Sequence, residues 1–429
     1  MDADQIRSLR PAMAAFVERY GEFFNRRATF EHFQRYVLGL LADLDRKSVE
    51  PIALAAGVAV RTLQEFLAFF KWDHDRVRAR LQRDIADAHG ASASEGIGVI
   101  DASAHPKRGD KTPGVQRQYC GETGKIDNCV VGQHLLYTDN HATNPFSCVL
   151  ASDLYLPRSW AEDRAAGGTR CKQAGIPDEL TYRPKWKIAT EQVAEAIGRG
   201  VRFAWITFDE EYGSVPGFWF ELDRLGQRGV GEVKRSFTAW VTRPACRSLR
   251  PEHAPRRVEH LATHSPAFRD QPWRKMTIKD ATRGPIVWQY KHAMIHLVEH
   301  DPDASGSAPV PTDRRYWLVV ARHARTGETK YFVSNAAADA SIEPMLRAAF
   351  ARWHVEKWFE RAKQECGLGA FEVRTYTSLI RHWLCSTLAM LFLAEQTTRL
   401  RGEKSTHHLR AGRPRRQHPR VGHLEPLVA

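Results

Sequence analysis

Three acidic residues stand where their carboxylates can act together. Asp101 and Asp209 each follow an apolar run, Gly96-Ile-Gly-Val-Ile in one case and Arg202-Phe-Ala-Trp-Ile-Thr-Phe in the other. Such runs are typical of buried strands, so each strand is predicted to stop at its Asp. Because neighbouring parallel strands bring their carboxyl ends to one edge of a sheet, the two side chains are expected there together. Glu356, in a predicted helix, can cover that edge.

A cluster of these three carboxylates would offer oxygen ligands alone, which is the chemistry that Mg²⁺ prefers. Two such ions about 3.5–4 Å apart can activate a nucleophile and stabilise the leaving oxygen in phosphoryl transfer. Each acid also has a simpler explanation, since Asp often caps a helix and Glu often belongs to a solvated, charged helix face. Their joint occurrence in a basic chain favours the metal-binding interpretation.

The helix around Glu356 has two distinct faces. At about 100° per residue, Arg352, Glu356 and Lys363 fall on one side. An apolar stripe beside them consists of Val355, Phe359, Ala362 and Cys366. The helix is therefore predicted to pack against the core through its apolar stripe. Its charged residues would then lie along the adjacent stripe of the same helix.

The composition is that of a globular and basic protein. The chain carries 63 Lys and Arg against 50 Asp and Glu, a formal net charge of +13. This excess favours a polyanionic partner, because each cation that meets a phosphate releases counterions. The seven cysteines include no Cys-x-x-Cys pair, so the sequence indicates neither a zinc ribbon nor a disulfide framework. No signal peptide or membrane span is recognised, so a cytoplasmic protein is expected.

Residues 1–92 are predicted to form a helical domain. Apolar positions recur at helical spacing in residues 30–41, and residues 52–67 contain a Gly between two short helical patterns. This is the outline of a helix-turn-helix, with Arg61 and Gln64 early on the second helix, where they would contact DNA. An ordinary helical hairpin in a bundle explains the same pattern equally well.

Strands alternate with helices from residue 93 onward, which predicts an α/β core with parallel pairing. Residues 235–312 break this alternation with scattered Pro and Arg, and they are interpreted as an inserted, mostly β subdomain. The core pattern returns with residues 316–321 and 330–334. The predicted division is a core in two parts, 93–234 and 313–398, around the insertion, followed by a basic, disordered tail at 399–429.

Three motifs resemble those of one enzyme family. The segment Arg352-Trp-His-Val-Glu-Lys-Trp-Phe-Glu-Arg-Ala-Lys matches the Arg-x3-Glu-x6-Lys part of a signature of DDE-superfamily insertion-sequence transposases. That signature opens with Tyr three residues before the Arg, where this chain has Ala349 followed by Phe350. Residues 114–129 are similar to the block after the first catalytic Asp, and Thr207-Phe-Asp-Glu-Glu-Tyr-Gly is similar to the motif around the second.

This resemblance, to the branch with the Tyr-x2-Arg-x3-Glu-x6-Lys signature, implies an α/β fold with an RNase-H-like catalytic core. Asp101, Asp209 and Glu356 would be the catalytic residues and the ligands of two Mg²⁺ ions, which Mn²⁺ can replace. Arg352 and Lys363 would contact DNA phosphates near the active site, the first as a fork-shaped donor and the second as a point charge. The further DNA contacts are Arg117, in the block after the first Asp, and Arg61 and Gln64.

The implied reaction is Mg²⁺-dependent DNA cleavage at the ends of a bacterial insertion sequence, followed by strand transfer into target DNA. The implied partners are double-stranded DNA, at the element ends and at the target, and a second copy of the chain in the DNA complex, near the nucleoid. Two alternatives stay open: a non-catalytic DNA-binding protein derived from a transposase, and a metal-dependent nuclease without strand transfer. The acidic triad favours an enzyme over a non-catalytic DNA-binding protein. It does not distinguish a transposase from a nuclease without strand transfer, because both would use the same three acids.

Overall fold

A computed structural model of the chain describes residues 3–89, 96–141, 145–247, 250–281, 284–299 and 309–408. The first part is helical, as predicted. Its elements are α1 (Ala3–Glu18), a short 3₁₀ helix (Gly21–Phe23), α2 (Arg27–Leu41), α3 (Val49–Ala55), α4 (Val60–Ala68) and α5 (His74–His89).

Strands and helices alternate in the second part. Its elements are β1 (Ile97–Pro106), β2 (Gln116–Cys120), β3 (Lys125–Thr138), β4 (Ser147–Leu154), α6 (Arg158–Ala165), α7 (Arg170–Gln173), α8 (Lys185–Gly198), β5 (Trp205–Phe208), α9 (Glu210–Gly213), α10 (Pro216–Arg224) and β6 (Gly229–Val233).

The third part is mostly β and leads into three helices. Its elements are β7 (Thr238–Trp240), β8 (Cys246–Arg247), β9 (Arg250–Pro251), β10 (Arg256–Arg257), α11 (Val258–His264), α12 (Pro266–Arg269), β11 (Arg274–Ala281), β12 (Gly284–Glu299), β13 (Val310–His323), β14 (Thr329–Ser334), α13 (Ile342–Phe350), α14 (Trp353–Cys366) and α15 (Tyr376–His408).

Twelve of the strands in the described ranges join into one mixed sheet, which confirms a mixed α/β fold. Its order is β10-β7-β12-β13-β14-β6-β5-β1-β3-β2, with β4 paired to β3 and β11 paired to β12. Strand β5 runs parallel to both β1 and β6. Strands β3 and β14 pair antiparallel with β1 and β6 respectively. A centre of three parallel strands therefore has antiparallel strands on either side.

The sequence boundary at residue 312 falls inside a continuous antiparallel hairpin. Strand β13 pairs with β12 from Trp288↔His323 to Glu299↔Val310, and β14 pairs with β13. Residues 316–321 and 330–334, predicted to belong to the returning core, lie in β13 and β14 and connect the insertion to the central strands. An apolar run does not reveal its pairing partner, so the sequence did not predict the pairing of β13 with β12. Strand β14 joins the insertion to the centre of the sheet by pairing with β6.

Helix α15 is the centre around which the N-terminal helices pack. It contacts α1, α2, α4 and α5, and it also contacts β4 and α14. It is the one described helix long and apolar enough to cross a membrane, but 83% of that apolar stretch is buried within the protein. The N-terminal helices and the sheet thus share a core element. The helix continues to His408, beyond the predicted tail boundary at 399, and residues 409–429 lie outside the described ranges.

Helices α3 and α4 form a short helix–turn–helix, with Gly57 in the turn at a φ of 63°. A positive φ is costly for residues with a side chain, which explains the glycine. Helix α4 buries Leu63, Phe66 and Leu67 and leaves Arg61 and Gln64 exposed. Because α2, α3 and α4 all contact one another, the geometry suits both a DNA-binding motif and a simple bundle.

Arg381 of α15 fastens α4 to the rest of the molecule. Its guanidinium is buried and donates hydrogen bonds to the carbonyls of Phe66 (3.2 Å), Leu67 (3.0 Å) and Trp72 (3.0 Å). Burial lowers the pKa of this guanidinium to about 10. The carbonyls of Phe66 and Leu67 lie at the end of α4, where the helix itself supplies no donors, and that of Trp72 lies just beyond it. Phe66 also accepts the indole N–H of Trp72 at 3.3 Å, but all three carbonyls accept hydrogen bonds from a residue more than 300 positions later in the chain.

Replacing Arg381 with Met should lower the free energy of unfolding by about 2–4 kcal/mol, because the carbonyls of Leu67 and Trp72 lose their donor and that of Phe66 loses one of two. Urea denaturation measures this loss, and amide hydrogen exchange should locate it in α4. Arg61→Met, at a side chain that is 86% exposed, is the matched control and should change stability by no more than about 0.5 kcal/mol. Equal effects of the two substitutions would show that Arg381 does not fasten α4.

Candidate active site

Asp101 and Asp209 occupy equivalent positions on adjacent parallel strands. The last parallel pair between β1 and β5 is Val99↔Thr207, and each Asp follows two residues later. Because side chains alternate along a strand, equal offsets direct both carboxylates to the same face of the sheet. Asp209 ends β5 and caps α9, since its Oδ1 accepts the backbone N–H of Glu211 at 2.9 Å.

The prediction that β1 stops at Asp101 was wrong. The strand continues to Pro106 because β3 pairs with it as far as Pro106↔Cys129. What ends near Asp101 is the parallel pairing with β5. The carboxylate therefore projects from a continuous strand where one neighbour has turned away, which leaves space for its side chain without breaking the sheet.

Arg352 forms ion pairs with both Glu356 and Asp101. Its guanidinium lies 2.6 Å from Glu356 Oε1 and 3.5 Å from Asp101 Oδ2. Burial lowers the pKa of Arg352, but Asp101, Glu356 and Asp209 outweigh this effect and raise it. The three predicted acids thus act on a single guanidinium. Glu356 is its most exposed partner, with 59% of the side chain accessible against 19% for Asp101.

The pKa values of both aspartates are raised above that of an ordinary Asp. Burial and, after it, the adjacent Asp209 raise the pKa of Asp101 to about 7, against the opposing effects of Arg352 and the N–H of Ala102. Burial also raises the pKa of Asp209, although the N–H of Glu211 opposes the shift. Taking a carboxylate out of water disfavours its charged form. A nearby cation would stabilise the charged pair.

The donor set fits a hard divalent cation in chemistry, since it consists of carboxylate oxygens around a site of unfavourable negative charge. Among the described residues, no three acidic, His or Cys side chains are grouped as ligands of one ion. Arg352 takes the bridging position between Asp101 and Glu356 instead, so coordination by all three acids requires this guanidinium or Glu356 to move.

A buried clamp holds the two aspartate segments together. The hydroxyl of Tyr212 donates to Gln133 Oε1 at 2.6 Å, and Gln133 Nε2 donates to the carbonyl of Asp101 at 3.2 Å. A Cβ at Gly213 would collide with the carbonyl of Glu232, so the glycine after Tyr212 lets α9 approach β6. The Asp209-x-x-Tyr-Gly motif therefore positions backbone as well as carboxylate.

Gln133 was not among the predicted site residues. The signal available was a polar residue inside the apolar run of β3, where it is fully buried. Its backbone carbonyl accepts a hydrogen bond from Gln192 at 2.9 Å, and Gln192 also donates to Asp153 at 2.7 Å. Arg78 of α5 lies 3.1 Å from Asp153. The clamp is thereby connected to the N-terminal helices.

The predicted DNA contacts fall in three places. Lys363 donates to the carbonyl of Ala104 at 3.4 Å and to Glu122 at 2.7 Å, so it lies beside β1 and is ion-paired. Arg117 is exposed on β2. Arg61 and Gln64 are on α4, where Arg61 pairs with Glu65 at 2.8 Å.

Ala349, at the position of the signature Tyr, is buried in α13. The neighbouring Phe350 packs against Trp288, with ring centroids 4.7 Å apart. An aromatic contact between α13 and the insertion is therefore supplied one residue later than the signature places its Tyr.

The chain is similar to DNA-cleaving and DNA-transposing proteins. The profile of the family described as DDE superfamily endonuclease matches residues 19–285, which include Asp101 and Asp209. A protein of Microchaete diplosiphon described as a probable transposase for insertion sequence element IS701 is 29% identical over 234 residues. That match covers 52% of this chain and 56% of the relative, so the chain spans little more than half of that protein's length.

The raised pKa of Asp101 gives a pH dependence with a definite sign. The folded protein holds this proton up to about pH 7, whereas the unfolded chain releases it near pH 3.8. Stability contributed by Asp101 is thus full at low pH and is lost as the pH rises through 7. Asp101→Asn mimics the protonated form. Without divalent ions, this variant should gain on the order of 2–4 °C in Tm relative to wild type between pH 5 and pH 8.

Thermal unfolding at several pH values measures this difference. Asp110→Asn, at a carboxylate that is 76% exposed, is the control and should track wild type across the range. Parallel Tm curves for wild type and Asp101→Asn would mean that Asp101 titrates as an ordinary carboxyl.

Proposed function

Since this chain belongs to the DDE superfamily endonuclease family, we propose that it is the transposase of a bacterial insertion sequence. It cuts DNA at the element ends and joins the 3′-OH groups to target DNA. The observation that carries the proposal is the arrangement of Asp101, Asp209 and Glu356 around Arg352. The relative's description as a probable transposase agrees with it.

The strand arrangement supports an RNase-H-like core. Three parallel strands, β1, β5 and β6, carry both aspartates, and β3 and β4 continue the sheet in antiparallel fashion. Between Asp209 and Glu356 lie 147 positions (356 − 209). Strands β7 and β10–β14 occupy much of that interval, which supports an inserted β subdomain.

Asp101, Asp209 and Glu356 are the residues that would hold two Mg²⁺ ions, or Mn²⁺ in their place. When bound, such ions would polarise the scissile phosphate and favour ionisation of the attacking hydroxyl. The protein's own contribution is positional: strands β1 and β5 fix the aspartates, and the Tyr212–Gln133 clamp fixes their spacing. Glu356 is the adjustable member, because it is exposed and held by an ion pair.

Arg352 and Lys363 are proposed to bind DNA phosphates beside the scissile bond. Each is now paired with a carboxylate, Arg352 with Glu356 and Lys363 with Glu122. DNA binding would replace Glu356 by phosphate at Arg352, since phosphate also offers an arginine oxygen acceptors. Lys363 has three donors, so it would contact phosphate while keeping its pair with Glu122. The pairs keep the cations extended towards the site before DNA arrives.

Specific end recognition is assigned to α4, with Arg61 and Gln64 exposed along it, and Arg117 is a further contact near the catalytic centre. The net charge of +13 supplies the general attraction for DNA. Two copies of the chain would act together on paired ends, in the bacterial cytoplasm.

Asp101→Asn, Asp209→Asn and Glu356→Gln should each lower DNA cleavage at least a hundred-fold and leave DNA affinity equal or higher, because less negative charge faces the phosphates. The assay is cleavage of a labelled duplex carrying the genomic flanks of the element, with Mg²⁺ or Mn²⁺, alongside gel-shift affinity. Glu360→Gln, four residues along the same exposed side of α14, is the matched control and should cleave normally.

Equal losses of binding and cleavage would instead make these acids structural. Cleavage without joining to target DNA would leave a nuclease, and binding with no cleavage under either metal would leave a DNA-binding protein.

Arg61→Ala with Gln64→Ala should weaken binding to element ends about ten-fold or more and reduce the preference for end sequence. Loss of one phosphate contact should also lower the slope of log affinity against log salt by about one. Affinity measured at several salt concentrations tests both. Arg27→Ala is the control, because Arg27 forms the same i,i+4 pair with Glu31 on α2. An equal effect of Arg27→Ala would exclude α4 as the recognition helix.

A further inference from the structure

The β2–β3 hairpin carries an apolar pair that the fold leaves in solvent. Tyr119 is 68% exposed and Ile126 is 63% exposed. They are direct cross-strand partners, and Arg117 stands two residues before Tyr119 on the same face. Among the described residues, the other large exposed hydrophobic side chains are Leu54 and Phe69, both in the N-terminal helices. We call residues 116–129 the hairpin arm.

The arm is held firmly although its apolar pair is exposed. Its turn is fixed by the ion pair between Glu122 and Lys363, 2.7 Å long. Its second strand is fixed by Asn128, which donates to the carbonyls of Lys107 (2.9 Å) and Gly109 (2.7 Å). Strand β3 then continues into the full pairing with β1. Because the backbone of the arm is held in place, its exposed apolar pair would lose less conformational entropy on binding than the same residues in a mobile loop.

The arm is anchored to the catalytic helix. Lys363 lies seven residues after Glu356 in α14, which is about 10 Å along the helix axis. Along B-DNA this distance corresponds to about three base pairs. A duplex that ran along α14 with its scissile phosphate at Glu356 would pass the arm within a few base pairs.

The charges around the arm select a polyanion over an apolar protein surface. Four cations are exposed on the arm or the loop that leads to it, Arg108, Lys111, Arg117 and Lys125, against the two exposed acids Asp110 and Glu122. Glu122 is moreover paired with Lys363. Aromatic and aliphatic side chains flanked by cations are suited to DNA, because they can enter between bases while the cations contact the backbone. A surface built for a second protein would more often be depleted of charge at its centre.

We propose that the hairpin arm inserts Tyr119 and Ile126 as a wedge between base pairs near the scissile phosphate, unstacking one step and bending the duplex. This role rests on the proposed function for its substrate. It adds a DNA-deforming contact, made by the arm, to the phosphate contacts of α14. Local unstacking would give the scissile strand the freedom to enter the acidic site.

The test uses duplexes with 2-aminopurine at successive positions around the end, because this base brightens when it is unstacked. Wild-type protein, bound without divalent ions so that no cleavage occurs, should brighten the probe at one step within a few base pairs of the cleavage site. Tyr119→Ala with Ile126→Ala should lose that signal and cleave at least ten-fold more slowly. Tyr119→Phe should retain both properties.

A second measurement guards against simple misfolding of the arm. A mismatch placed at the brightened step should restore most of the cleavage lost in the double variant, because the DNA is then already unstacked. Recovery supports the wedge. Failure to recover, unchanged signal and cleavage in the double variant, or a defect in self-association with normal unstacking would each overturn it.

The two proposals fail separately. Wild-type protein that unstacks the step through Tyr119 but never cleaves would refute the transposase function and support the wedge. Wild-type protein that cleaves without unstacking any step would refute the wedge alone.

Discussion

The grouping of three carboxylates around one guanidinium is the constraint on which the rest of the structure depends. Asp101 and Asp209 are brought together by the register of β1 and β5, and burial makes their charged forms costly enough to raise the pKa of Asp101 to about 7. Arg352 offsets part of this cost and also holds Glu356. Cations stabilise such a site. Arg352 has this role in the structure, and divalent ions would have it during the proposed reaction.

Keeping two like charges close requires a rigid frame, and the buried polar network supplies it. Gln133 links the Asp101 strand to Tyr212, and Gln192 connects Gln133 to Asp153 and Arg78. Buried polar groups are stable only when their partners are in place. Arg78 carries this network into the N-terminal helices, and α15 packs against both those helices and β4. The proposed recognition helix and the candidate active site therefore belong to one packed framework.

Local patterns in the sequence predicted the mixed α/β fold, the strand that ends at Asp209 and the charged face of α14. They failed at the end of β1, which runs past Asp101 because β3 continues beside it. They also did not predict the pairing of β13 with β12, because an apolar run does not specify its partner. Gln133 and the Lys363–Glu122 pair bring together residues from distant parts of the chain, 241 positions apart in the second case. No periodicity encodes such contacts. Sequence patterns therefore predicted the acidic residues but not the side chains that hold them in place.

The most direct measurement is the position of Mn²⁺ in crystals of the protein bound to an uncleaved element end, located by anomalous scattering. We predict Mn²⁺ coordinated by oxygens of Asp101, Asp209 and Glu356 beside the scissile phosphate, with the guanidinium of Arg352 moved from Glu356 to a DNA phosphate. Mn²⁺ bound elsewhere in a complex that becomes cleaved, or an Arg352–Glu356 pair still intact at the moment of metal binding, would contradict it.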